Sequence, residues 1–170
     1  MASSLARLAL YPSQSLNLVC KILISLRSLS ETNTIGYYPR VVRAVATILA
    51  RSDVVAPVDV LLEMGNLTQK HHEAWYRGHV PSLERVFAGS LSKAHRILRL
   101  IGFHVHDLHM IPRRTVYYQG GNRKNRRLRF SKSGHGGVEE AYATHYVWNQ
   151  SQEKKRHVIA RSLPAHSQEA

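Results

Sequence analysis

"RRTVYYQGGNRKNRRLRFSK", residues 113–132, holds eight Lys and Arg and no Asp or Glu. On either side of its glycines the character of the chain alternates. Val116 and Tyr118 interleave with Thr115, Tyr117 and Gln119, and Leu128 and Phe130 interleave with Arg127, Arg129 and Ser131. A period of two marks extended chain whose successive side chains point to opposite faces, and Gly120, Gly121 and Asn122 supply a turn. The stretch therefore predicts a β-hairpin with an apolar face of Val116, Tyr118, Leu128 and Phe130 and an opposite face of arginines. Tyr117 falls on the polar side, where it is a candidate for stacking on an unpaired base.

The charge of the hairpin stands out against the rest of the chain. The 170 residues carry 24 Lys and Arg against 11 Asp and Glu, a formal charge of +13. Residues 41–112 hold eight bases and six acids, and residues 134–170 hold four of each. More than half of the excess thus sits in about an eighth of the chain, which describes a local anion-binding surface and not a generally basic protein. Arginines at alternate strand positions share one side, where each can meet a phosphate and release its counterions. A strand edge guarded by charge would need far fewer of them.

Ahead of the hairpin, Leu91, Ala94, Leu98, Ile101, Val105 and Leu108 step by three and four, the spacing of a helix buried along one stripe. Lys93, Arg96 and Arg99 lie off that stripe, three apart, and share an outer face. Local punctuation predicts shorter helices. One covers residues 39–52, with Val41, Val45, Ile48 and Leu49 inward. The others are opened by Pro57 and closed by Gly65, capped by Thr68 and stopped by Gly78, and started by Pro81 and stopped by Gly89. Beyond Gly134, Gly136 and Gly137, the spacing of Val138, Ala141, Tyr142, His145 and Trp148 predicts a last helix. Glu139 and Glu140 fall in its first turn, at the positive end of the helix dipole. The expected fold class is α+β and predominantly helical, a bundle of short helices with one basic β-hairpin. The expected domain covers residues 37–150, between a poorly packed extension or targeting segment of residues 1–36 and a solvated tail of residues 151–170.

A helix with a basic outer face leading into a basic two-stranded wing resembles the winged-helix nucleic-acid binders. Within "LLEMGNLTQKHHEAWYRGHVPSLERV", Trp75, Gly78, Val80 and Pro81 resemble the W-x-x-G-x-[LV]-P run of excisionase-like and MerR-like helix-turn-helix proteins. The same segment, with "LRFSKSG" and "EEAYATHY", is similar to small basic bacterial proteins over roughly residues 38–150. The first resemblance implies a trihelical core, one helix in a DNA groove and a hairpin touching the backbone beside it. The second implies no activity. The resulting expectation is a noncatalytic nucleic-acid-binding protein, DNA-binding first, that uses Lys93, Arg96, Arg99, Arg113, Arg114, Tyr117, Arg123, Lys124, Arg126, Arg127, Arg129 and Lys132. RNA binding or association with the ribosome is the alternative. Behind these stand a metal-dependent enzyme acting on nucleic acid and an accessory subunit whose hairpin docks an acidic protein surface.

Other constellations add little chemistry. His106 and His109 are three apart, whereas His104 points elsewhere, which does not match the paired-histidine pattern of metalloproteases. With eleven histidines in the chain such clusters arise by chance, so no metal and no cofactor is expected. Glu139, Glu140 and His145 are the nearest acid and imidazole groups to the hairpin, without a recognised catalytic spacing. "KSGHGGVEE" lacks the spacing of a Walker A loop. The single cysteine, Cys20, excludes an internal disulfide framework. Residues 1–36 hold seven Ser and no acid before Glu31, a composition like that of an organelle transit peptide. Their apolar run, Leu16 to Leu26, is broken by Lys21 and is too short to span a bilayer. The expectation is a cytoplasmic protein with no membrane partner, organelle targeting being the alternative.

Overall fold

The structure is a computed structural model that describes residues 31–163, so the expectations for residues 1–30 and 164–170 lie outside the described residues. The chain divides into two compact units, the first ending at Ile35 and the second beginning at Gly36. In order, the elements are α1 (Glu31–Arg51), β1 (Val54–Val55), α2 (Pro57–Glu63), α3 (Gln69–Tyr76), a 3-10 turn (Leu83–Arg85), α4 (Leu91–Asp107), β2 (Ile111–Arg114), a second 3-10 turn (Gln119–Gly121), α5 (Gly136–Ala143), β3 (Thr144–Val147) and α6 (Gln152–Ser162). This is the α+β, predominantly helical architecture that the sequence predicts. Among the described residues no helix is long and apolar enough to cross a membrane.

The helices with clear punctuation form where they are expected. Pro57 occupies the first turn of α2, where its missing N–H has no helical partner to lose, and the chain leaves at Gly65 with φ of 70°. The Thr68 hydroxyl accepts the His71 N–H to cap α3, and Ser90 accepts the Lys93 N–H to cap α4. Along α4 the buried stripe is Ala94, Ile97, Leu98, Ile101 and Val105. It joins Val41, Val45, Ile48 and Leu49 of α1, Val58 and Leu61 of α2, Trp75 of α3 and Leu83 in one core. Each large aliphatic side chain buried there contributes about 1.5 to 3 kcal/mol.

Elsewhere the local pattern is overridden. Helix α1 begins at Glu31 and carries Pro39 in its interior. Its buried stripe beyond the proline supplies packing that offsets the lost hydrogen bond. The helix expected after Pro81 shrinks to one 3-10 turn, because the Ala88 N–H turns away to bond Asn66 O at 2.8 Å. The last expected helix stops at Ala143, and residues 144–147 become the centre of a three-stranded antiparallel sheet ordered β1-β3-β2. In it Val54 and Ile111 both pair with Val147, and Arg113 pairs with His145. Residues 152–162, expected to be part of a solvated tail, form α6. Ser151 caps it, and Lys155 Nζ holds it by donating to Asp53 Oδ1 at 2.7 Å and Ser52 O at 3.0 Å.

Candidate nucleic-acid interface

The predicted hairpin is a closed loop and not a two-stranded wing. One bridge, Tyr118 opposite Arg127, joins its arms, with Leu128 N bonded to Tyr117 O and Gln119 N to Arg126 O, both at 2.9 Å. Past Leu128 the backbone finds other partners. Arg129 O accepts the Trp75 indole N–H at 2.7 Å and Leu83 N at 3.2 Å, while Phe130 O accepts Glu84 N at 2.9 Å. Two carboxylates take the amides. Glu139 accepts Phe130 N at 3.1 Å, Ser131 N at 2.7 Å and the Ser131 hydroxyl at 2.6 Å, and Glu84 accepts Lys132 N at 2.8 Å. Charge-assisted bonds of this kind are about twice as strong as neutral ones, so they displace a second strand ladder.

Aromatic packing sets which side chains face in. Phe130 stacks on Tyr142 with ring centres 5.4 Å apart and planes 2° from parallel. Tyr117 packs between Trp75 and Phe130, at 5.7 and 5.1 Å, and its hydroxyl meets His145 Nε2 at 2.6 Å. Burial pushes the Tyr117 phenol well above its usual range. Tyr117 is therefore partly buried against the core and is not the expected base-stacking platform, and its neighbour Val116, expected inward, is 42% exposed. Thr115, Tyr117, Tyr118 and Gln119 are all half-buried, so the first arm does not show the expected separation into an apolar and a polar face.

The loop's cations point outward. Arg113, Arg114, Arg123, Lys124, Arg126, Arg127, Arg129 and Lys132 are all exposed. Among the described residues only Arg114 of these eight meets a carboxylate, Glu140 at 3.8 Å, and both side chains are more than half exposed. Such a pair contributes under about 1 kcal/mol. Arg114, Arg127 and Arg129 converge on a cleft of about 390 Å³ that Gly134, Glu139 and Glu140 also line. Lys93, Arg96 and Arg99 do not line it. Lys93 folds back over the rings of Tyr37 and Phe87, at 5.7 and 6.0 Å from their centres, Arg96 is half-buried and Arg99 is exposed. The outer face expected on α4 is thus only partly presented.

Sequence reasoning missed the two acids that hold the loop. Glu84 is 5% exposed and also meets His95 Nε2 at 3.2 Å, and Glu139 does more than face a helix dipole. Glu139, a few residues past the basic run, was the nearer of the two to find, whereas Glu84, far upstream of it in sequence, carried no local signal. Of the histidines considered for metal, His104 is buried with Nδ1 3.4 Å from the Tyr38 hydroxyl, and burial lowers its pKa, while His106 is exposed. Among the described residues no group of three His, Cys, Asp or Glu is arranged to hold a metal ion. Neither models of known protein families, nor characterised proteins, nor solved structures match this chain.

Proposed function

We propose that the protein binds nucleic acid without transforming it, through phosphate contacts made by the loop from Arg113 to Lys132. One observation carries this reading: among the described residues, seven of the eight cations from Arg113 to Lys132 have no carboxylate partner, while Glu84 and Glu139 fix the backbone at residues 130–132, where the second arm ends. A preorganised cationic surface loses little conformational freedom on binding and gains from each counterion released. The winged-helix resemblance enters in a reduced form, with the loop as the wing and Arg96 and Arg99 as secondary contacts. Two of the acid and imidazole groups nearest the loop are already engaged in the fold. Glu139 is occupied by backbone amides, and His145 is held by the Tyr117 hydroxyl.

The test is fluorescence anisotropy with labelled single-stranded and duplex nucleic acid across a salt series. The expected result is an affinity that falls steeply and linearly in log–log form, by about 0.7 to 0.9 in slope per phosphate contacted. An affinity indifferent to salt, or no binding at all, overturns the proposal.

A further inference from the structure

The cleft beside the loop is mixed in charge, unlike the loop's tip. Arg127 and Arg129 reach it from the loop, Arg114 from β2, and Glu139 and Glu140 from α5, while Gly134 adds no side chain. The tip residues Arg123, Lys124 and Arg126 have no acid paired with them among the described residues. A bare phosphate would be served better by the tip, because carboxylates beside the cleft's arginines repel it. A ligand suited to the cleft presents hydrogen-bond donors next to its anion.

Glu140 is the acceptor with capacity to spare. Glu139 is committed to Phe130 and Ser131, whereas Glu140 is half-exposed and lies 3.8 Å from Arg114, too far for a hydrogen bond. The ribose 2′-hydroxyl is a donor fixed close to a backbone phosphate, and it is what distinguishes RNA from DNA at a single site. The cleft's size, about 390 Å³, sits near the lower end of the roughly 300 to 1,000 Å³ typical of small-ligand sites and suits one nucleotide unit, not a duplex. We infer that the cleft seats one ribonucleotide unit of a single-stranded RNA, its phosphate on Arg127 and Arg129 and its 2′-hydroxyl donating to Glu140. This inference rests on the nucleic-acid reading above.

The experiment compares the full chain's affinity for three single strands of one sequence: RNA, DNA, and RNA carrying 2′-O-methyl groups, which lack the donor. Glu140→Gln and Glu140→Ala are measured beside the wild type, and because Glu140 is half-exposed both variants are expected to fold. The expected result is RNA bound about tenfold or more tighter than the other two, the share of one charge-assisted hydrogen bond. Glu140→Ala brings RNA to the level of DNA, and Glu140→Gln retains part of the preference through its carbonyl oxygen. Equal binding of all three strands, or a Glu140→Ala variant that binds all three more tightly, overturns the assignment and leaves phosphate binding by the loop standing. Should none of the strands bind at any salt concentration, both readings fail together.

Discussion

Glu139 ties two stretches of chain together with a single carboxylate. It accepts from Phe130 N, Ser131 N and the Ser131 hydroxyl, so neutralising it leaves amides that must share one carbonyl oxygen and face an NH2 group. Glu139→Gln is expected to lower stability by about 1.5 to 3 kcal/mol, read as a reduced urea midpoint with an unchanged slope. Tyr117→Phe removes one hydrogen bond to His145, at a cost of about 1 kcal/mol, and leaves the ring packing in place. Its nucleic-acid affinity should match the wild type, which a stacking platform that depends on an intact exposed tyrosine would not guarantee in the Tyr117→Ala variant. Burial also lowers the pKa of His72, His104 and His145 against the opposing pull of Asp59 or Asp107. Their folded pKa lies below the unfolded value of about 6.5, so in that window the unfolded chain binds more protons. Stability is therefore fully present above this pH and is lost as pH falls through it, which urea midpoints measured at successive pH values will show.

At the scale of elements, the chain's readable parts are those whose cause is local. Thr68, Ser90, Pro57, Gly65 and Gly78 act on their own neighbours, and α2, α3 and α4 follow from them. The sheet depends on partners far apart in sequence: residues 54–55 and 111–114 both meet 144–147. Val138, Ala141, Tyr142, His145 and Trp148 fit a helix by spacing alone, but β1 and β2 each lack a partner unless Thr144–Val147 is extended. The arms of the loop misled for a similar reason. Alternation marked a two-stranded hairpin of which only one bridge forms among the described residues, and the burial of Leu128 and Phe130 was legible, whereas the acids and carbonyls that satisfy the second arm come from elements distant in sequence. Helix α6 is anchored by the buried Lys155 amine beside the packing of Val158 and Ile159 on the core. Lys155→Met keeps its apolar stem but loses the bonds to Ser52 O and Asp53, so hydrogen exchange should quicken across residues 152–162 and stay unchanged in α4.

Over the whole molecule, the partition of charge was the most legible feature, and its physical meaning was not. Composition located +8 of the +13 between Arg113 and Lys132. Only the folded structure separates a tip with no acid paired to it among the described residues from a cleft that acids line. Replacing Arg123, Lys124 and Arg126 with Ala should therefore weaken binding to every sequence alike and lower the salt slope by about 0.7 to 0.9 for each phosphate contact removed. Thermal denaturation should move little, because all three side chains are exposed. If the midpoint shifts strongly while the slope does not, those residues serve the fold.

The strand order β1-β3-β2 places the last strand made between two made earlier. During synthesis Val54–Val55 and Ile111–Arg114 leave the ribosome before Thr144–Val147, the strand with which both pair among the described residues. Closure of the sheet is thus expected late in translation, and truncated products ending ahead of that strand are expected to be more protease-sensitive than the full chain, which limited proteolysis of the two will show.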